Sequence, residues 1–171
     1  LHGSWLHLGG NMLFLWVFGN NVEDHLGHLR YLVFYLAAGA VAALAHFALD
    51  VDSTIPVVGA SGAIAGVMGA YAVWFPWARV RTIFFFLFIP FFYEIPAAAL
   101  LALWFLSQFF IVPGSGVAWM AHVGGFVFGA LVALAVRADP RFRYRLWVHE
   151  YATLTGAWDN RSGPGAGPPR R

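Results

Sequence analysis

The sequence predicts an all-α, polytopic membrane protein, a bundle of apolar helices crossing a bilayer. Three observations predict it. Of 171 residues, 60% are hydrophobic and only 11% charged, where a soluble domain carries about 25% charged residues. The apolar residues gather into five segments close to the length of a membrane span. Arginine falls on every second connection between those segments.

A spanning helix needs about 20 mostly apolar residues. The first segment is 6–19, and the second is 31–49, interrupted only by His46. The third is 58–75. The apolar region 82–111 is too long for one span and holds Pro90, Glu94 and Pro96. It divides into a hydrophobic loop or re-entrant stretch, 82–94, and a helix over 95–111. Pro96 then falls in the first helical turn, where proline is tolerated. The fifth span is 116–136. Phe84 to Phe86 and Phe91 to Tyr93 read as interfacial anchors.

The connections set the orientation. Arg30 lies beside Glu23 and Asp24, and Arg79 and Arg81 follow the third segment. Arg137, Arg141, Arg143 and Arg145 follow the fifth. The intervening connections hold only Asp50 and Asp52, or no charge at all over 112–116. Arginine-bearing loops face the cytoplasm, so the first segment starts outside and the C-terminus lies inside. A chain that starts outside, with no positively charged leader, is expected to have lost at least one earlier span. Residues 138–171 are expected to form a cytoplasmic juxtamembrane tail. It is basic and aromatic over 141–147, suited to headgroups, and rich in Gly and Pro with disorder from about 160.

Polar side chains inside a bilayer are costly, so each needs a reason. Counted from the outer side, Ser61 lies just inside the third segment, His122 about six residues into the fifth, and His7 and Asn11 in the first two turns of the first. Three helices thus bring polar residues to one shallow layer. Serine becomes a nucleophile when a neighbouring base takes its proton, and Ser61 with His122 can form that pair. The acidic residues at this level, Asp50 and Asp52, sit in a loop, which favours a Ser-His dyad over a triad. His7 and Asn11, four apart, share one helix face. With the backbone N–H of Ser61 they can donate to one oxygen, as an oxyanion hole requires.

Glycines flank both residues. Gly59 precedes Ser61, and Gly62 with Gly66, and Gly125 with Gly129, are small-xxx-small pairs that let helix backbones approach. Close approach is what a serine and a histidine on different helices need in order to bond. His25, His28, His46 and His149 read as interfacial or structural, His2 as a support for the loop or cavity, and Glu23 and Asp24 as ties between elements.

His2-x4-His7-x3-Asn11, Gly59-x-Ser61-Gly62 and Ala121-His122-x2-Gly125-x3-Gly129 resemble, in order, the signature helices of rhomboid intramembrane serine proteases. The Phe18-Gly19 and Glu23-to-Gly27 stretch is also similar to that family. The resemblance covers residues 1–137 and implies a rhomboid-like helical bundle with five of six core helices present, the first helix and first loop being absent. It implies hydrolysis of peptide bonds in or beside transmembrane helices of membrane-protein substrates. The segment 95–111, with Trp104 and Phe105, would resemble a lateral gate, and 117–120 part of a cap. One departure stands out: Ala65 occupies the position where many members carry an aromatic residue on the catalytic histidine. Trp119 or Phe126 is the expected substitute.

Other classes fit less well. A rhomboid-like protein that binds membrane clients without cutting them usually lacks the serine or the histidine. A transporter or channel places ionisable residues near the midplane, and Glu94 falls at a cytoplasmic edge. With no cysteine there is neither a disulfide nor a thiolate site. His7 and Asn11 make no metal set, and no cofactor is expected. A formal charge of +2 is too small to indicate nucleic acid; the expected partners are transmembrane substrates and the bilayer. The expected location is a bacterial inner (cell) membrane, with the active site towards its outer face.

Overall fold

The computed structural model describes residues 2–49, 51, 59–111 and 117–138. The tail from 139 onward and the connections 52–58 and 112–116 lie outside the described residues. Five α-helices are present among the described residues: α1 (Trp5–Leu26), α2 (His28–Leu49), α3 (Ser61–Trp74), α4 (Ala97–Ser107) and α5 (Trp119–Arg137). A single 3-10 turn, Gln108–Phe110, continues α4. Each helix falls on one of the five apolar segments. Helices α2 and α5 are long and apolar enough to cross a membrane, while α3 and α4 are shorter apolar helices.

The boundaries differ from the hydropathy reading in ways that matter for the site. Helix α1 continues past residue 19 to Leu26 and takes in Glu23 and Asp24. It starts where the Ser4 side chain accepts the His7 N–H at 3.0 Å, an N-cap that satisfies one otherwise unpaired donor. It stops at Gly27, whose φ of 80° favours glycine. There Glu23 pairs with His28 at 2.7 Å across the turn into α2. Helix α3 begins at Ser61 itself, not near 58, and α5 begins at Trp119, not 116. Ser61 is therefore the first residue of its helix and His122 the fourth of the other.

The all-α expectation needs one correction. Residues 82–94 form no re-entrant loop: Arg79–Phe86 (β1) and Ile89–Pro96 (β2) pair as an antiparallel hairpin. Arg81 faces Glu94, and Phe84 faces Phe91. The two turn residues, Leu87 and Phe88, have φ of 48° and 68°, the two-positive-φ pattern of a type I′ hairpin turn. Such turns usually carry Asn-Gly, so Leu-Phe left no turn signal to find. Pro96 closes β2 and precedes α4 instead of lying within its first turn.

Helix α3 is the centre of the bundle. Every residue from Ala63 to Tyr71 is buried, and its most extensive neighbour is α5. The contact is made by glycine. A Cβ on Gly125 would overlap the Gly62 carbonyl, and a Cβ on Gly129 the Gly66 carbonyl. On the other side of α3, a Cβ on Gly62 would come within 2.6 Å of Ala42 Cβ on α2. Away from the glycine crossing, Phe18, Val22, Phe34, Met68, Trp74 and Leu101 fill the core. Trp74 Nε1 donates to the Ala133 carbonyl at 3.0 Å, and Asn21 Nδ2 to Tyr71 Oη at 3.3 Å.

Large apolar side chains meanwhile cover the outside, as with Leu36 at 62% exposure and Leu131 at 61%. Small residues inside and large apolar ones outside is the arrangement of helices that pack in lipid, where close backbone contact replaces the hydrophobic drive to associate.

Candidate active site

Ser61 and His122 meet where α3 and α5 cross. Ser61 Oγ and His122 Nε2 are 2.8 Å apart, within the range for a strong hydrogen bond. The approach follows from the glycines: Gly62 follows Ser61 directly, and Gly125 lies one turn after His122 against the Gly62 carbonyl. With side chains at these positions the backbones could not approach closely enough for a serine to reach across. As the first residue of α3, Ser61 also presents its backbone N–H among the helix-end donors that have no acceptor within the helix. The positive end of the helix dipole adds to the attraction for negative charge there.

Helix α1 brings its two polar residues to the same place. His7, Asn11, Ser61 and His122 line one cavity of about 290 Å³ with Phe14, Met68 and Trp104. The His7 ring lies against Gly59, where a Cβ would stand 2.9 Å from its Cε1 and Nε2. Gly59 has a φ of 111°, a conformation open to glycine and strained for other residues. The Gly3 N–H donates to His7 Nδ1 over a long 3.4 Å bond, which leaves Nε2 of a neutral His7 to carry the ring proton on the Gly59 side. Asn11 is buried, at 6% exposure. One amide hydrogen goes to the His7 carbonyl at 2.8 Å, and the NH₂ group has a second to offer. His2 packs edge-on against His7, with ring centroids 5.3 Å apart.

Two further residues, neither of which sequence reasoning placed beside the imidazole, complete the surroundings of His122. Gln108 Oε1 lies 2.7 Å from His122 Nδ1, on the ring edge away from Ser61. Its own Nε2 donates to the Trp104 carbonyl at 3.0 Å and to Ser107 Oγ at 3.1 Å. The serine-histidine pair is thus joined to a neutral third side chain. Sequence reasoning weighs only carboxylates as a third member. Yet Gln108 is an amide in an apolar segment, at 5% exposure, and the rule that a buried polar group needs a partner would have marked it.

The second is Trp104, named from the sequence only as part of a gate-like segment, whose ring lies 5.8 Å from that of His122 at 41°. It supplies the aromatic neighbour that Ala65, fully buried on α3, cannot. Trp119 and Phe126, the expected substitutes, take other positions. Phe126 packs on Trp104 and Phe105 at 6.1 and 4.7 Å, and Trp119 faces Phe109 at 5.9 Å. Among the described residues no group of three or more potential metal-ligating side chains occurs.

Comparison with known proteins gives the same family as the motifs. The Rhomboid domain family model matches residues 1–139. Rhomboid protein 1, mitochondrial, of Saccharomyces cerevisiae is 31% identical over 139 residues, 76% of this chain and 38% of the yeast protein. The human presenilin-associated rhomboid-like protein, mitochondrial, is 30% identical over 135 residues, 75% of this chain and 34% of its own length. Rhomboid protease GluP of Bacillus subtilis is 47% identical over 70 residues, 41% of this chain and 13% of that protein. The chain spans little more than a third of the length of the mitochondrial relatives it matches. No solved structure gives a significant match. The chain is a membrane protein and belongs to the rhomboid family.

Proposed function

We propose that this chain is the core of an intramembrane serine endopeptidase that hydrolyses peptide bonds in or next to transmembrane helices of membrane-protein substrates. The observation that carries the reading is the 2.8 Å contact between Ser61 Oγ and His122 Nε2, from two helices, on the wall of a cavity. In the first step Nε2 takes the Ser61 proton as Oγ attacks the scissile carbonyl carbon. The carbonyl oxygen gains the negative charge. The backbone N–H of Ser61, His7 Nε2–H and the second Asn11 N–H are the donors for it. His122 then returns the proton to the leaving amine and the C–N bond breaks, leaving an acyl ester on Ser61. A water molecule, deprotonated by the same Nε2, attacks that ester, releases the new carboxyl terminus and restores Ser61.

Depth supports the reading. Helix α3 has 14 residues, about 21 Å at ~1.5 Å per residue, less than the ~30 Å hydrocarbon thickness. A short helix enclosed by its neighbours can begin below the membrane surface, which puts Ser61 at the level of a substrate helix. In this reading residues 1–137 form a polytopic core whose five helices lie in the bilayer. The site faces the outer side, and 138–171 form a cytoplasmic tail. The arginine topology sets this orientation; the bacterial cell membrane is proposed as the location, and the matched relatives include mitochondrial proteins and a Bacillus subtilis one.

The test is cleavage in membranes of a tagged substrate with an unstable transmembrane helix, by wild type, Ser61→Ala and His122→Ala. Loss of cleavage in both variants is the expected result. Equal cleavage by all three assigns the cut to another protease. If wild type cuts nothing, and a fluorophosphonate fails to label Ser61, the chain is a client-binding member of the family without activity.

A further inference from the structure

We propose that Gln108 is a positioning residue that holds His122 in the tautomer with a proton on Nδ1 and a free lone pair on Nε2. The kinetic part of this proposal rests on the protease reading; the tautomer itself does not.

The direction of each bond follows from what each atom can do. The Trp104 carbonyl oxygen only accepts, so the group of Gln108 that meets it at 3.0 Å is the NH₂. Ser107 Oγ takes the other hydrogen at 3.1 Å, and Ser107 in turn donates its own proton to the same carbonyl at 2.6 Å. The amide can therefore not be turned around without facing NH₂ towards His122 and an acceptor towards an acceptor. Oε1, which only accepts, is left 2.7 Å from His122 Nδ1, so Nδ1 carries the proton. A neutral imidazole has one N–H, and Nε2 is then the bare nitrogen facing Ser61 Oγ at 2.8 Å. The hydrogen bonds run in one sense, from Ser61 through His122 and Gln108 to the backbone of α4.

The other tautomer would put an N–H against Ser61 and remove the base. It would also set a lone pair against Oε1 at hydrogen-bond distance. Burial makes this selection firm, because Gln108 is 5% exposed and water competes little for its oxygen. A neutral amide selects the tautomer without a carboxylate in the apolar bundle, where an ionised group is costly.

The experiment uses ¹⁵N-histidine-labelled chain in micelles, with His122 assigned by comparison with His122→Ala. Wild type is expected to show a protonated Nδ1 and an unprotonated Nε2. A protonated Nε2 in wild type overturns the proposal whatever the activity. Gln108→Met keeps the length but removes the acceptor, and is expected to give mixed tautomers. It should also lower kcat on the tagged substrate ~10- to 100-fold, with KM changed less than ~3-fold. Gln108→Glu, which in its neutral form can both accept from Nδ1 and donate to the Trp104 carbonyl, is expected to restore the tautomer and most of kcat. Wild-type tautomer or wild-type kcat in Gln108→Met overturns the proposal. A wild-type chain that neither cuts nor reacts with fluorophosphonate removes the protease reading, and the spectra still decide the role of Gln108.

Discussion

The Trp104 indole stands 5.8 Å from the His122 imidazole, inclined at 41°, and comes from α4, not from the helix that carries Ser61. The ring contact limits how far the imidazole can rotate away from Ser61. Trp104 is itself backed by Phe126, with ring centroids 6.1 Å apart. Trp104→Ala is expected to lower cleavage ~10-fold, and Trp104→Phe to stay within a few-fold of wild type, since aromatic contacts are worth about 0.5–1.5 kcal/mol. A gate role for this residue makes the opposite prediction, because a smaller side chain would admit substrate faster. Initial cleavage rates for the two variants separate the roles.

Asn11→Ala removes a buried amide that lines the cavity. As an oxyanion donor, its loss should reduce kcat by ~10²-fold or more while leaving KM nearly unchanged. A rise in KM at constant kcat would instead mark Asn11 as a substrate-binding residue.

Gly129→Ala adds a methyl group where the Gly66 carbonyl already lies. Helices α3 and α5 must then separate, at a cost of about 1–3 kcal/mol or more for an overpacked core. Thermal unfolding in detergent should show a lower Tm. At Gly9 a methyl group would meet nothing within 4 Å, and Gly9→Ala should be neutral or stabilise the helix by up to about 1 kcal/mol. Equal Tm changes at the two sites would contradict the close α3–α5 crossing.

Replacing Leu87-Phe88 by Asn-Gly should strengthen the hairpin, because both turn residues hold positive φ and Asn-Gly adopts that turn with little strain. Slower amide exchange in β1 and β2 is the expected readout. Faster exchange would show that the Leu and Phe side chains contribute more to the hairpin than their backbone strain removes.

Much of the site was legible because lipid makes polar residues conspicuous. Ser61, His122, His7 and Asn11 could be picked out as polar groups at one depth on three apolar segments, and the structure lines one cavity with all four. The hairpin was not legible, because Leu87 and Phe88 carry no turn signature and the run around them is apolar throughout. Helix starts were also misplaced, since hydropathy varies smoothly across Gly59 and Ala60 while the backbone changes direction there.

The sequence by itself determined the helical membrane character, the order of the apolar segments, and the glycine spacing that lets α3 and α5 touch. These are properties of composition and period, which a single chain displays without folding. Only the tertiary structure decided that Ser61 opens its helix, that the aromatic neighbour of His122 is Trp104, and that Gln108 bonds Nδ1. Those contacts join α3, α4 and α5 across up to 61 positions of chain. They depend on the rotation and depth of each helix against the others, which close packing sets and local sequence does not specify.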